Sequence, residues 1–421
     1  MILNNIKKDN QFRPSYELIN KLAKIHGSSF YLFNKMTFIN NLLQVKSAFN
    51  QYYSNIQIGY SFKTNYLPVA CKIAKDNGVF AEVVSGMEYD LALKIGYVGE
   101  RIIFNGPLKE KSELIKAFEQ GSYIHFDSYS EIEILKKYLN ENPTKEVKCA
   151  LRCNFDINES KRSRFGFDVE SGEVEAVYKE LFEIKGCIPV GIHCHFSTKH
   201  RSLFSYRLRT KKIIDLSKKI FKERLLEYID IGGGFFGEME ENIKALFPFH
   251  IPTIFEYGKE IGELMKSEFP YQNVKLILEP GVSIIANTKC FICQVSSIKN
   301  IADKPVVILS GGLHNIRPTG THSSIPFIVL SSGAVNNVQN AVIGGYTCME
   351  TDIISESYSG NMEKGDYLLF DNMGAYNIVF KPPFIKEAPP IIMFEENDSE
   401  VSFILVRRRE TLDDIFSSYI F

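Results

Sequence analysis

The chain has 421 residues, of which 45% are hydrophobic and 24% are charged, and its 49 basic and 50 acidic side chains give a formal net charge of -1. This length and composition predict a globular protein of two domains, and the balanced charge argues against a nucleic-acid or membrane partner. The first ten residues, MILNNIKKDN, lack the apolar run of a signal peptide, and no long apolar stretch predicts a membrane helix. Eight cysteines without a secretion signal predict thiols in a reducing compartment, so we expect a cytoplasmic protein.

Between about residue 29 and residue 283, short apolar runs alternate with amphipathic segments. The amphipathic segments predict helices, for example MEYDLALKIG, KSELIKAFEQG and SEIEILKKYLNEN. The apolar runs predict strands, and they read SSFYLF, IQIGYSF, VFAEVV, RIIFNG, SYIHFD, VKCALRCNF, PVGIHCHFS, LEYIDIGGG and KLILEPG. Because strands that alternate with helices indicate a parallel sheet, eight or nine such units over about 250 residues favour a closed (β/α)8 barrel.

The pattern changes after about residue 286. Short predicted strands follow one another with turn residues and little helix between them: CFICQVSSI, PVVILSGG, PFIVL, NAVIGG, DYLLF, YNIVF and VSFILVRRR. This pattern is typical of an all-β domain, either a small barrel or a sandwich. We therefore predict an α/β protein with a TIM-like (β/α)8 barrel at residues 28–285 and a C-terminal all-β domain at residues 286–421, which also includes about residues 1–27.

Polar residues and glycines occur where the predicted barrel strands end. In a (β/α)8 barrel the carboxyl ends of the strands carry the active site. A lone lysine at a strand end usually extends its ammonium group into water, but the stretch YSFKTN places Lys63 among small residues and in line with other strand ends. The strand-end residues are Lys63, Ser85, Asn105, Arg152, His195, Gly232 to Gly234 and Glu279.

Two of these strand ends indicate binding groups. The stretch IDIGGGFFG ends in three adjacent glycines, which form either a flexible turn or a backbone cradle for an anion such as phosphate; the spacing is not that of a dinucleotide-binding loop. The stretch LILEPGVS places Glu279 after a buried strand, where an unpaired carboxylate is costly. Its partner is either a lysine or arginine side chain or a cationic ring nitrogen.

The stretch GIHCHFST places His193 and His195 on the same face of a strand. This is a metal-ligand spacing, so a metal-dependent barrel hydrolase is an alternative. Such a site needs further histidine or aspartate ligands, whereas the other strand ends carry Lys63, Glu279 and glycines. We therefore expect no metal at this strand end. The histidines are expected instead either to stack an imidazole on a planar cofactor or to belong to the core.

The cysteines divide into two kinds. Cys149 with Cys153, and Cys290 with Cys293, lie in strand-like runs without a second pair at zinc-site spacing, so they predict thiols of the core. Cys348, in GYTCMETD, lies in a predicted turn with acidic neighbours. A partly exposed, polar setting is typical of a reactive thiol.

Six motifs follow one another in an order that is similar to a known family: YSFKTN, HCHFST, GGGF, EPGV, CMETD and GAY. The chain resembles the fold-type III pyridoxal-phosphate decarboxylases, and most closely the diaminopimelate decarboxylase-like group, over about residues 28 to 410. The resemblance implies an alanine-racemase-like barrel, a C-terminal β domain, and head-to-tail homodimers whose active sites are shared across the interface.

The resemblance also implies a role for each matching residue. Lys63 would hold pyridoxal 5'-phosphate covalently, His195 would stack on the pyridine ring, and Glu279 would pair with the ring nitrogen. Cys348, from the partner subunit, would return a proton after carbon dioxide leaves. The residues that would hold the phosphate are Gly232, Gly233, Gly234, Gly281, Thr198 and Tyr376.

The chain departs from the family pattern mainly at the substrate residues. The arginine of E-P-G-R is Val282, the acid after the cysteine is Met349, and a substrate tyrosine is Thr321. Two further departures are Ser197, in place of a glycine, and Glu82, in place of an aspartate. The residues expected to contact the substrate are Arg317, Met349, Glu350 and Asp352.

Because the cofactor residues are mostly kept and the substrate residues mostly changed, we predict a decarboxylase of an amino acid other than meso-diaminopimelate. The substrate is either free or conjugated, for example carrier-bound, and the pathway is a siderophore or other secondary-metabolite biosynthesis. Three alternatives stay open: a diaminopimelate or ornithine/lysine-type decarboxylase, a non-catalytic relative that binds pyridoxal phosphate, and the metal-dependent hydrolase.

Overall fold

The computed structural model describes residues 13–158, 162–318, 325–333, 335–380, 384–397 and 400–420. These residues form two compact units. The first unit, called here the barrel unit, consists of residues 41–238 and 247–284. The second, called here the β unit, consists of the described residues of 1–40, 239–246 and 285–421.

Among the described residues of the barrel unit, eight parallel strands form a closed sheet. The sheet closes because the first strand, Ile56–Ser61, pairs in parallel with the last, Lys275–Leu278. The other barrel strands, in chain order, are Phe80–Val83, Ile102–Phe104, Tyr123–Phe126, Val147–Asn154, Cys187–His193, Tyr228–Asp230; a short additional strand, Phe167–Asp168, pairs with Val147–Asn154. The predicted TIM-like barrel is confirmed.

Helices connect the barrel strands and contribute to the core. One example begins at Ser85, whose side chain accepts a hydrogen bond from the Glu88 backbone, and ends at Gly96, which has a φ of 93°. These are the capping residues that helix ends favour. The helices of this unit are Pro68–Asp76, Gly86–Ile95, Lys111–Glu119, Tyr129–Glu141, Glu173–Glu183, Leu203–Phe221 and Ile254–Glu268. Lys35–Asn50 and the short helix Val282–Ile285 contain boundaries between the units, and the short helix Glu241–Lys244 belongs to the β unit.

The β unit contains a nine-stranded sheet in its described residues. Its core packs the helix Tyr16–His26 against strands that carry Phe30, Ile292, Leu369 and Ile392, all of which are buried. The strands are Ser29–Asn34, Lys289–Ile301, Lys304–Leu309, Ile328–Leu330, Asn337–Gly344, Ile353–Asn361, Tyr367–Phe370, Ile391–Asn397 and Glu400–Arg407, and the remaining helices are Leu313–Ile316 and Leu412–Phe416. This architecture confirms the predicted C-terminal all-β domain.

Two strand predictions need correction, and two strands were missed. The run SSFYLF, predicted as a barrel strand, pairs antiparallel with Lys289–Ile301 and parallel with Ile391–Asn397, so it belongs to the β unit. The run YNIVF is not a strand, because Tyr376 has a φ of 58° and the Asn377 side chain donates hydrogen bonds to backbone carbonyls of the helix 313–316. The strands Ile353–Asn361 and Ile391–Asn397 were not predicted, and the polar residues of the first hide its alternating hydrophobic pattern.

In the described part of the chain, none of the helices combines the length and apolar character needed to cross a membrane.

Candidate active site

A cavity of about 400 Å³ opens at the ends of the barrel strands. Its volume lies in the range of roughly 300–1,000 Å³ that is usual for small-molecule sites. Three residues that the family resemblance assigns to the cofactor, Lys63, His195 and Glu279, line this one cavity. The other lining residues are Glu82, Val84, Asn105, Gly106, Pro107, Arg152, Ser163, Arg164, Phe165, His193, Phe196 and Ser197.

Lys63 is held in the cavity by a carboxylate. Its Nζ lies 2.5 Å from Oε2 of Glu82, whose side chain is fully buried. The same Glu82 oxygen accepts a hydrogen bond from the Ser61 hydroxyl. A buried carboxylate without a cation would cost several kcal/mol, so Lys63 and Glu82 stabilise each other inside the barrel. Lys63 therefore does not simply extend into water, and Glu82, which replaces the family's aspartate, reaches it directly.

Asn105 connects the lysine side of the cavity to the glutamate side. Its Nδ2 donates to Oε1 of Glu82 at 3.0 Å and to Oε1 of Glu279 at 2.5 Å. Because both carboxylates need a donor, the remaining Oδ1 must accept, and it lies 2.6 Å from Nδ1 of His125. His125 then carries its proton on Nδ1, and its Nε2 accepts from the Tyr228 hydroxyl at 3.1 Å. Asn105 was noted in the sequence without a role, and His125, which points inward from the run SYIHFD, was missed.

A second buried acid, Asp230, adjoins Glu279. Burial raises the pKa of Asp230 well above its usual value, and the charge of Glu279 and a hydrogen bond to Glu279 raise it further. This direction favours the protonated form of Asp230 beside Glu279, and Oδ1 of Asp230 accepts a hydrogen bond from the Gly232 backbone at 2.7 Å. Among the described residues, no lysine or arginine forms an ion pair with Glu279. The predicted alternative of such a pair is wrong for this part of the chain.

His195 presents a neutral imidazole to the cavity. Its Nδ1 accepts a hydrogen bond from the Gly233 backbone at 3.1 Å, so the ring proton is on Nε2. Burial lowers the pKa of His195 well below its usual value, and the charges of Lys63 and Arg152 lower it further. A neutral ring with a 23% exposed side chain is suited to packing on a flat ligand.

Four buried side chains place possible metal-binding atoms within 4.8 Å of one another: His125, His193, Asp230 and Glu279. Both ring nitrogens of His125 are occupied, one by Asn105 and one by Tyr228. Both nitrogens of His193 lack a hydrogen-bond partner, and its ring stacks on that of His125 at 4.5 Å. Since the only ring lone pair of the neutral His125 already accepts from the Tyr228 hydroxyl, His125 has none left for a metal. The cluster therefore does not form a complete ligand set, and the metal-hydrolase alternative loses support.

The three glycines lie close to His195 and Glu279. A Cβ atom at Gly232 would lie 2.5 Å from Nδ1 of His195, and one at Gly233 would lie 2.0 Å from the Glu279 carbonyl oxygen. Gly232 and Gly234 also have φ values of 69° and 90°, which other residues rarely adopt. The glycines are thus required for backbone to pass this close to the site.

The other two predicted phosphate residues of the barrel unit are also closely packed. A Cβ atom at Gly281 would lie 2.1 Å from Oγ1 of Thr64, the residue after Lys63. Thr198 is buried, and its hydroxyl accepts a hydrogen bond from the Arg201 backbone at 3.1 Å. Their contact with phosphate stays a prediction.

The remaining predicted site residues lie in the β unit. Cys348 is exposed and lies in a turn, as predicted. Asp352 is buried; its carboxylate accepts hydrogen bonds from the Thr347 backbone and hydroxyl and from the Leu313 backbone. These contacts make Asp352 a residue that shapes the turn around Cys348. Its predicted contact with substrate, and those of exposed Met349 and Glu350, stay predictions.

Tyr376 adopts a left-handed backbone conformation, with a φ of 58°. Such strain in a bulky residue is often found at functional sites. Gly374 precedes it, and a Cβ atom there would collide with the Ile285 carbonyl oxygen at 1.6 Å. Arg317 follows the short helix Leu313–Ile316, and Thr321 lies outside the described residues. The roles predicted for Tyr376 and Arg317 stay predictions.

The structure supports the interpretation of the cysteine pairs. Cys149, Cys153 and Cys293 are buried free thiols, and Cys290 is partly buried. Burial raises the pKa of the Cys153, Cys290 and Cys293 thiols, and the hydrogen bond to Cys187 together with burial raises that of Cys149. They are therefore unreactive residues of the core, whereas the reactivity of the exposed Cys348 stays a prediction.

The residues of the cavity fit pyridoxal phosphate. An amine for its aldehyde, a buried carboxylate for its ring nitrogen and a neutral imidazole for its ring face line one cavity, and a glycine loop adjoins them. Neither ring nitrogen of His193 has a hydrogen-bond partner, so the cavity wall also carries polar atoms that no protein group bonds.

Comparison with known proteins agrees with this chemistry. The profile of the family "Pyridoxal-dependent decarboxylase, pyridoxal binding domain" matches residues 38–286. The diaminopimelate decarboxylase of Aquifex aeolicus is 25% identical over 409 residues, which cover 94% of this chain and 93% of that protein. The L-glutamyl-[BtrI acyl-carrier protein] decarboxylase of Niallia circulans is 27% identical over 422 residues, which cover 96% of each chain.

Solved structures show the same fold. The crystal structure of diaminopimelate decarboxylase from M. jannaschii has a TM-score of 0.84 at 24% identity, covering 96% of this chain and 94% of that chain. The arginine decarboxylase of Paramecium bursaria Chlorella virus has a TM-score of 0.75 at 21% identity, covering 90% of this chain and all of the other. The two-part architecture is thus shared along nearly the whole chain.

Proposed function

The chain belongs to the pyridoxal-dependent decarboxylases, and from this premise we propose that it removes the α-carboxylate of an amino acid other than meso-diaminopimelate. Its cofactor is pyridoxal phosphate. The observation that carries the site assignment is the single cavity in which Lys63 and Glu279 are connected through Asn105.

Each side chain of the cavity has a task that follows from its contacts. Bound pyridoxal phosphate supplies the electron sink for the electron pair left behind when carbon dioxide departs. Lys63 is the amine that attaches the cofactor, and Glu82 orients its Nζ. Glu279, which accepts a hydrogen bond from Asn105 and lies beside the buried acid Asp230, would keep a proton on the ring nitrogen.

We assign two further roles, to His195 and to Cys348. The neutral imidazole of His195 covers one face of the cofactor ring and excludes water from it. Cys348 of the partner subunit donates the proton that replaces the lost carboxylate. The exposure of this thiol supports the assignment, because a donor that acts on a neighbouring chain cannot be buried in its own.

The shared-site proposal has its own test. Lys63→Ala and Cys348→Ala proteins should each be inactive, because one lacks the attachment point and the other lacks the proton donor. Mixed dimers contain one site with both native residues if the two come from different subunits. Activity should therefore reappear after subunit exchange. Absence of recovery in dimers shown by mass spectrometry to be mixed would contradict the sharing.

The substrate proposal rests on the residues that differ from diaminopimelate decarboxylases. Val282, Thr321 and Met349 replace an arginine, a tyrosine and an acid, so three of the side chains that the resemblance assigns to a distal amino-acid end are changed. Each lost charge-assisted contact is worth about 1.5–3 kcal/mol, so losing two or three should weaken the use of meso-diaminopimelate by several orders of magnitude. The preferred substrate has a far end that is neutral or conjugated, or that carries a carboxylate facing Arg317.

Substrate profiling tests this proposal. The purified holoenzyme is supplied with meso-diaminopimelate, ornithine, lysine, arginine, glutamate and a glutamyl thioester of a carrier protein, and carbon dioxide release is measured. The glutamyl carrier substrate is included because the Niallia circulans relative is named for it. A diaminopimelate decarboxylase serves as the positive control. Efficient lysine formation from meso-diaminopimelate, with kcat/KM of about 10⁴ M⁻¹s⁻¹ or more, would refute the proposal.

A further inference from the structure

A fully buried arginine in the barrel unit lacks a countercharge. Arg209, on the helix Leu203–Phe221, has 0% exposure. Its Nε has no hydrogen-bond partner, and its Nη1 makes one long contact of 3.5 Å to the Phe196 carbonyl oxygen. Among the described residues no carboxylate forms an ion pair with it. A buried cation without an anion is costly, so an anion supplied by a ligand would explain its presence.

Arg209 lies next to the glycine loop. Its guanidinium group is 3.5 Å from the centre of the Tyr206 ring, and the Tyr206 hydroxyl donates to the Gly233 carbonyl at 2.9 Å. The Phe196 carbonyl that Arg209 contacts would also be 3.7 Å from a Cβ atom on Gly234. Two separate chains of contact therefore place the guanidinium group directly behind the loop.

The charge of Arg209 reaches the cavity. The pKa of His195 is lowered first by burial and then by nearby cations, and Arg209 is one of those cations. The neighbouring strand end, where the family carries an arginine after E-P-G, has Val282 and contributes no charge. The loop thus has a cation behind it and none at position 282.

We propose that Arg209 is the positive charge that favours the phosphate group of the cofactor at the loop Gly232–Gly234. It acts as a positioning residue from behind the loop, through its electrostatic field and through the Tyr206 contact that fixes the Gly233 carbonyl. The proposal rests on the placement of the phosphate at this loop. A buried cation close to an anion in a water-poor site interacts more strongly than the same pair in water.

The test compares two ligands that differ only in the phosphate. Apoprotein is titrated with pyridoxal phosphate and with pyridoxal, and dissociation constants are measured by equilibrium dialysis. The wild type is compared with Arg209→Gln, which removes the charge, and with Arg209→Lys, which keeps it. Arg207→Gln is the matched control, because Arg207 is an exposed residue of the same helix that pairs with Glu260 at 2.7 Å.

Arg209→Gln should weaken binding of pyridoxal phosphate about 10- to 100-fold, as expected for one lost charge-assisted interaction, and leave binding of pyridoxal unchanged. Arg209→Lys should retain most of the preference for the phosphorylated ligand, and Arg207→Gln should match the wild type. Inorganic phosphate should compete with pyridoxal phosphate less well in Arg209→Gln than in the wild type.

Three results would overturn the inference. Equal weakening of both ligands would make Arg209 a general structural residue, and no weakening of either would remove its role. Failure of Arg209→Gln to fold while Arg209→Lys folds, judged by circular dichroism, would show that the apoprotein itself needs the charge. If instead the wild type does not distinguish the two ligands, the placement of the phosphate at the glycine loop is wrong, which is a separate failure.

Discussion

Replacing Asn105 by alanine should destabilise the apoprotein more than the loss of an ordinary buried amide. The side chain donates to Glu82 and Glu279 and accepts from His125, at 3.0, 2.5 and 2.6 Å. Hydrogen bonds to charged groups contribute about 1.5–3 kcal/mol each and neutral ones about 0.5–1.5 kcal/mol, which gives an upper range of about 4–7 kcal/mol. Because the cavity can admit water to both carboxylates, we expect a measured loss of about 2–4 kcal/mol.

Urea denaturation of the apoprotein at pH 7.5, followed by circular dichroism, measures this loss. Asn154→Ala is the matched control, because Asn154 is also a buried asparagine at a strand end but donates to an uncharged carbonyl, that of Ser163, at 2.7 Å. The control should lose about 1 kcal/mol. If Asn105→Ala lost no more than Asn154→Ala, the idea that Asn105 connects two charged carboxylates would be wrong.

Three further predictions follow from the same contacts. Lys63→Ala should lose both turnover and the cofactor link that borohydride reduces; mass spectrometry that still finds a reduced adduct would show that another amine is used. Glu279→Gln should keep the cofactor but slow turnover by orders of magnitude, because an amide cannot hold the ring-nitrogen proton; near-wild-type kcat would contradict this role. Stability should fall on acidification below about pH 6.5. In this range the histidines of an unfolded chain take up protons, whereas His125, His193 and His195 of the folded chain do not, because burial lowers their pKa values. The raised pKa of Asp230 acts in the opposite sense, since the folded chain keeps that proton above about pH 4. The raised pKa of Glu88, about 7, acts in this same opposite sense. Each neutral buried histidine adds a slope of up to about 1.4 kcal/mol per pH unit near pH 5, so the free energy of unfolding should rise with pH less steeply in His193→Gln, by up to that amount. A slope that is the same in His193→Gln would refute the assignment of a neutral His193.

The sequence by itself determined the fold class and identified several residues that line the cavity. Strand runs such as IQIGYSF and LILEPG place Lys63 and Glu279 at strand ends. The hydrophobic period of each segment predicts whether that segment is a strand or a helix. The motifs are also read from short stretches, although Lys63 stands out from an ordinary strand-end lysine only because polar residues and glycines end the other predicted strands as well. The turn that carries Cys348 was correctly predicted, because the sequence signal of a turn is also local.

Only the tertiary structure decided how these positions combine. Asn105 and Glu279 are 174 residues apart in the chain, yet closure of the barrel between Ile56–Ser61 and Lys275–Leu278 puts their side chains within 2.5 Å. The protonation of Asp230 likewise depends on which acid the fold packs beside it. The pairing of Ser29–Asn34 with the sheet of the β unit is a further case, because the hydrophobic pattern of a strand does not determine which strand it pairs with. Periodicity reports which face of a segment is buried, whereas hydrogen bonds and pKa shifts depend on distances that exist only after distant segments have come together.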